Sequence, residues 1–145
     1  MEKMKKSRIK NKKGKWYLKK IKSISGVDVW IIDGIYVRDE FDVEFTNFGQ
    51  HYRFKFIPKN EFWIDEEKAV GEAEFYIEHL LVEYKLMSEG MTYDEAIEKA
   101  DIVEHKKRMQ EVFVRKNIMK KLRKKDYIKI IHKKLLKIYS NGIKV

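Results

Sequence analysis

From Lys15 onward β-rich apolar runs dominate, alternating with polar residues at a period of two over 41–56, and from about Lys68 the spacing changes to three and four. The first rhythm predicts strands and the second predicts helices. WYLKKI predicts a first strand, and VDVWIIDGIYVRD holds two β-rich runs around Asp33-Gly34. Asp-Gly between such runs predicts a hairpin, because a type I′ turn needs positive φ at both central positions. FDVEFTNFGQHYRFKFI predicts a second hairpin. Phe41, Val43 and Phe45 alternate with Asp42 and Glu44, and Tyr52, Phe54 and Phe56 alternate with Arg53 and Lys55. That pattern puts six apolar side chains on one face and sets acids of one strand opposite bases of its neighbour. Pro58 ends the strand, and EFWID predicts a short further one.

AEFYIEHLLVEYKLM carries an apolar stripe at helical spacing, with Gly90 as its C-terminal stop. Thr92 opens the next helix and Glu95 completes a capping box, the helix running toward Lys125. Asp126 caps a last helix, YIKIIHKKLLKIY, whose Ile128, Ile131, Leu135 and Ile138 form one stripe that ends at Asn141-Gly142. Strands first and helices after predict an α+β fold: an N-terminal antiparallel sheet of hairpins, about four or five strands, followed by three C-terminal helices. The first residues lack an apolar pattern, so 1–13 is expected to be a flexible basic arm and 14–145 a single α+β domain.

Composition sharpens this picture. The chain has 145 residues, enough to bury a core, and 39% are charged against about 25% in an average protein. A Lys- and Glu-rich, cysteine-free surface suits a thermophile, and the absence of cysteine excludes disulfides and thiolate metal sites. No apolar stretch follows the basic start and none approaches a membrane span, so the expectation is a cytoplasmic protein without a membrane role. The last helix lacks Trp and Phe, and its apolar stripe is assigned to the core, which also argues against a membrane surface.

Charge is unevenly placed. Residues 1–22 carry a net +10, the acidic sheet and helix body 23–105 carries −13, and the basic C-terminal helices 106–145 carry +13. Such ends either hold a polyanion or neutralise the acidic middle, in the same chain or in a homo-oligomer built by acidic-on-basic docking. For the first reading, Lys5, Lys6, Arg8, Lys12 and Lys13 precede Trp16, which offers a stacking surface. Lys106, Lys107, Arg108, Arg115, Lys116, Lys120, Lys121, Arg123 and Lys124 recur along the helical part. They fall on several sides of the helix and match no helix-turn-helix, RRM, KH or zinc-finger signature. The expected partner is therefore DNA or RNA bound through its phosphates with little sequence preference. A solvated charged surface is the plainer account of the same lysines.

A different chemistry is written at His79 and Glu83, four apart and so on one helical face. A histidine and a carboxylate so placed can share a divalent metal such as zinc, with Glu104, or its neighbours Asp101 and His105, supplying a further ligand from the next helix. An ordinary, partly exposed helical pair is the plainer reading here too. In the H-E-x-x-H motif the general base directly follows the first histidine; here that position is Leu80, so the motif is absent and no residue is assigned as catalytic. His51 beside the expected hairpin turn is read as solvent-facing. Gly-rich phosphate loops and nucleophile elbows are also missing.

The stretches DGIYVRD, DVEFTNFGQHY, IPKNEFWID and HLLVEYKLMSEGMTYDEA resemble a family of small uncharacterised proteins of archaea, bacteria and their viruses. In that family the helix pair reads like H-E-L-H-E-R-x-L-M followed by G-M-S-Y-x-x-A-H, a metallopeptidase-like arrangement. His79, Glu83, Gly90, Met91, Tyr93 and Ala96 keep the pattern, while Leu80, Val82 and Ile97 replace its polar residues. The resemblance spans about residues 33–105 and implies a degenerate metal site without its base. Two functions are therefore carried forward: a non-catalytic nucleic-acid-associated binding protein, and a degenerate or atypical metal-dependent hydrolase-like protein.

Overall fold

The computed structural model describes residues 13–122 and 124–142. The nucleic-acid candidates Lys5, Lys6, Arg8, Lys12 and Arg123 lie outside those residues. Residue contacts divide the chain into two compact units, Met1–Lys106 and Lys107–Val145. The division lies inside a long helix, one residue beyond the change from acidic to basic sequence.

The first unit is α+β. Strands β1 (Tyr17–Ile24), β2 (Val27–Ile32), β3 (Phe48–Gln50) and β4 (Glu61–Asp65) form one sheet in the order β1-β2-β4-β3. Helix α1 (Gly34–Glu40) follows β2, and α2 (Glu66–Ala69) and α3 (Ala73–Ser88) follow β4. Helix α4 runs over Tyr93–Lys121 and α5 over Lys124–Gly142. The three C-terminal helices expected from the sequence are thus α3, α4 and α5.

The sheet is mixed where an antiparallel one was expected. β1 pairs antiparallel with β2 and β3 with β4, but β2 and β4 run parallel, with Trp30 opposite Trp63. The cause lies at Asp33-Gly34. Asp33 stays at φ −76° and its side chain accepts from the Tyr36 backbone N–H at 3.1 Å, so it caps α1 and makes no hairpin. Aspartate serves turns and N-caps by the same short acceptor, and here the cap prevails. The chain leaves the sheet through α1 and returns as a parallel strand, which a crossover of this length permits. The tight hairpin lies earlier, at Ser25 and Gly26, with φ of 51° and 77°.

Residues 41–57 depart from the expected second hairpin as well. Only β3 forms there; Phe45, Phe54 and Ile57 are buried, while Phe41 and Val43 are exposed. Turn hydrogen bonds from Phe45 N–H to the Asp42 carbonyl and from Phe54 N–H to the Gln50 carbonyl fold the segment on itself. Arg38 locks it by donating to the carbonyls of Phe45 and Thr46 and to the buried Asp65 carboxylate at 2.9 Å. Alternation in this stretch reflects two turns of an irregular cap over the sheet.

Because successive strand side chains face opposite ways, β2 and β4 feed two cores. Val27, Val29, Phe62 and Ile64 meet Tyr76, Ile77 and Leu80 of α3 on one face. Ile32 and Trp63 meet Val37, Phe45, Phe54 and Ile57 on the other. β4 is buried at all five positions, as a central strand covered on both faces should be. α3 is thereby fixed against the sheet through Leu80, whose full burial contributes about 1.5–3 kcal/mol.

Candidate metal centre

The α3 face that carries Tyr76, Leu80 and Glu83 also carries His79. His79 and Glu83 are each 2% exposed, and Glu83 Oε1 lies 3.3 Å from Nε2 of His79. A buried carboxylate needs partners, and Glu83 finds its second in Gln50, whose amide donates to Oε2 at 2.8 Å. Gln50 is itself fully buried at the end of β3, and its side-chain Oε1 accepts the Tyr52 N–H at 2.7 Å. The order of hydrogen bonds therefore runs from the β3 turn through Gln50 and Glu83 to the far nitrogen of His79.

The near nitrogen faces α4. The α3–α4 turn closes as a Schellman motif: Met91 N–H donates to the Leu86 carbonyl at 3.0 Å and Gly90 N–H to the Met87 carbonyl at 3.1 Å. Gly90 sits at φ +101°, a conformation that suits glycine and few other residues. α4 then starts at Thr92, whose hydroxyl accepts from the Glu95 N–H at 3.4 Å, and buries only the small Ala96 and Ala100. This entry angle carries Asp101 and Glu104, three apart on one face, to His79.

Nδ1 of His79 lies 3.3 Å from Asp101 Oδ1 and 3.3 Å from Glu104 Oε1. Both approaches fall within ion-pair distance, yet neither has hydrogen-bond geometry, and Nδ1 is a buried nitrogen without a hydrogen-bond partner. One ligand atom from each of His79, Asp101 and Glu104 lies within 4.8 Å of the others. Zinc bound at about 2.0–2.2 Å with tetrahedral angles separates its ligand atoms by about 3.3–3.5 Å. The nitrogen-to-oxygen spacings match that edge. Asp101 is 64% exposed and Glu104 21%, so the cluster opens to solvent on the α4 side.

Burial works against a charged His79, but the hydrogen bond it donates to Glu83 and the fields of Glu83, Glu104 and Asp101 outweigh it. They hold the pKa above the ordinary 6.5. Tyr93, at the start of α4, has its pKa raised by burial and then by the Glu83 charge, and Arg53 lies over its ring at 4.5 Å. Arg53 also pairs with Glu44 at 2.8 Å, an acid–base match across the residue 41–57 segment.

The sequence candidates separate into groups. His79, Glu83, Asp101 and Glu104 come together, but on two sides of the imidazole: Glu83 at Nε2, the other two at Nδ1. His105 is exposed, and the His51 Nδ1 donates to the Ile57 carbonyl at 2.7 Å. Leu80 lies in the sheet-facing core with no exposure, so the position after His79, where an H-E-x-x-H motif has its general base, holds a packed apolar side chain. Gln50 is the residue that sequence reasoning missed; its one signal is a polar side chain in register with Phe48 on a short strand.

Of the nucleic-acid candidates, Lys13 pairs with the buried Glu61 and lies over the rings of Tyr17 and Trp30. Glu61 also accepts from the Tyr17 hydroxyl at 2.6 Å and Trp63 Nε1 at 3.0 Å. Trp16 stacks on Tyr36 at 5.2 Å and packs against the second core. Lys106 is exposed; Lys107 and Arg108 are half-buried; Arg115, Lys116, Lys120 and Lys121 are exposed. No helix among the described residues is long and apolar enough to cross a membrane. No family model, curated protein or solved structure matches this chain.

Proposed function

We propose that this protein binds a divalent cation, zinc foremost, between α3 and α4 through His79, Asp101 and Glu104, without hydrolytic activity at that site. The carrying observation is the buried Nδ1 of His79, which has no hydrogen-bond partner and stands 3.3 Å from each of two carboxylates. Glu83 at Nε2 does what carboxylates behind metal-bound histidines commonly do: it keeps the proton on the far nitrogen and leaves the near lone pair for the ion. Mixed nitrogen and oxygen ligands suit zinc and its first-row neighbours better than magnesium or calcium. Leu80 speaks for binding and against hydrolysis, since no carboxylate stands where the metallopeptidase-like pattern has its base. The cation would hold two helices together and could serve as a structural or a sensing element.

Metal analysis of protein purified without chelator, followed by calorimetric titration of the chelated protein with zinc, tests the reading. A stoichiometric site that disappears in His79→Ala and weakens in Asp101→Asn and Glu104→Gln is expected. A chelated protein that takes up no zinc, or uptake unchanged in His79→Ala, overturns it.

A second reading, a non-catalytic nucleic-acid-associated role, is favoured by the exposed Arg115, Lys116, Lys120 and Lys121 on the basic second unit. Phosphate contacts through such residues give binding that falls steeply with salt. Fluorescence anisotropy with mixed DNA and RNA over a salt series measures it, and no binding at low salt ends it.

A further inference from the structure

The second unit carries an apolar surface that its own described residues leave uncovered. On α5, Ile128, Ile131, Leu135, Leu136 and Ile138 remain between 39% and 56% exposed. At 3.6 residues per turn, Ile128, Ile131, Leu135 and Ile138 line one stripe, and Leu136 lies off it, beside Lys129. Lys129, Lys133 and Lys137, spaced by four, line the opposite side; Lys134 lies between them and Ile138, and Asp126 and Ile130 interrupt that face. Over Lys124–Gly142 there are six lysines against one acid, Asp126. Two features argued against a membrane surface, the lack of Trp and Phe on this helix and the assignment of its stripe to the core; the exposure removes the second, and isoleucine and leucine supply the apolar side in place of the first.

We infer that α5 is an interfacial helix: it lies in the headgroup layer of an anionic bilayer with the isoleucine and leucine stripe turned to the acyl chains and the lysines among lipid phosphates. An apolar stripe opposed by a lysine face is the pattern of such helices. Charge decides among the possible occupants. A second copy laid on the same stripe would bring together two segments that each carry +13 over residues 106–145. A nucleic acid, or the acidic 23–105 body of a second copy docked by charge, would take the lysines and leave the stripe in water. An anionic bilayer satisfies both faces at once. The helix lies on the membrane and does not cross it, since none of the described helices is apolar enough to span. The inference is independent of the cation site, which lies in the other unit.

The test is co-sedimentation of the full chain with vesicles of phosphatidylcholine alone and with vesicles containing about one third phosphatidylglycerol. The protein is expected to pellet with the anionic vesicles at low salt, and less as salt is raised. Ile131→Glu together with Leu135→Glu replaces exposed residues and is expected to weaken binding at least about tenfold, because apolar insertion is lost. Lys133→Gln with Lys137→Gln is expected to weaken it by a similar factor. Circular dichroism melts confirm that each variant keeps its fold. The inference is overturned if anionic vesicles do not bind the protein at low salt. It is equally overturned if the double glutamate variant binds them like the unaltered chain, which would mark a purely electrostatic contact. A salt-stable oligomer that Leu135→Glu disperses, with no vesicle binding, would assign the stripe to a second copy.

Discussion

Glu83 stands one helical turn beyond His79 and takes the Nε2 side of its imidazole at 3.3 Å, leaving Nδ1 to the carboxylates of Asp101 and Glu104. The pair therefore acts in series, with Glu83 behind the histidine and the α4 carboxylates before it.

That arrangement sets a pH dependence. The His79 pKa is raised above 6.5 by Glu83, Glu104 and Asp101 despite the opposing effect of burial. A pKa raised on folding stabilises the folded state fully below the unfolded value and ceases to do so as pH rises through the folded value. In chelator, the melting temperature is expected to fall as pH rises from about 6 through the folded pKa, and His79→Gln is expected to flatten that fall. Zinc competes with the proton at Nδ1, so its affinity should increase over the same range. Melts across a pH series, with and without zinc, check both signs.

Gln50 is the support of Glu83. Gln50→Ala removes the 2.8 Å bond and leaves a buried carboxylate oxygen unsatisfied, which is expected to cost about 1–3 kcal/mol. Urea unfolding measures the loss. Because Glu83 is then free to turn from Nε2, zinc affinity is expected to fall also, about tenfold or more.

The α3–α4 turn depends on backbone conformation. Gly90 has φ +101° with open space around a would-be Cβ, so Gly90→Ala meets no clash and strains only the chain. A loss of about 1 kcal/mol is expected, with a weaker cation site as Asp101 and Glu104 shift. Denaturant midpoints and zinc titration of the one variant separate the two effects.

At the other end of the first unit, Lys13 neutralises Glu61, which is 3% exposed on its side chain. Lys13→Ala is expected to destabilise by about 1–3 kcal/mol, since the carboxylate remains buried with only the Tyr17 and Trp63 donors. Lys13→Ala combined with Glu61→Gln should recover part of that loss. Thermal melts of the two variants decide it.

The sequence by itself determined the α+β order, the three helices, the Gly90 stop and the placing of His79 and Glu83 on one face. All are local matters of propensity, capping and helical spacing. It also marked Asp101 and Glu104 as candidate ligands, though nothing local says that α4 returns to His79. Tertiary structure decided the rest. Asp33 is equally suited to a turn or a cap, and only docking of α1 beneath the residue 41–57 segment, with Arg38 clamping Asp65, selects the cap and makes β2 and β4 parallel. Phe41 and Val43 alternate like a strand, yet exposure is set by which residues the sheet can cover. The role of Gln50 depends on a contact spanning 33 residues to Glu83, which no periodicity records. The stripe on α5 was legible as amphipathic. Sequence could not say that its apolar side stays exposed, because a helical pattern states which side avoids water and not what covers it.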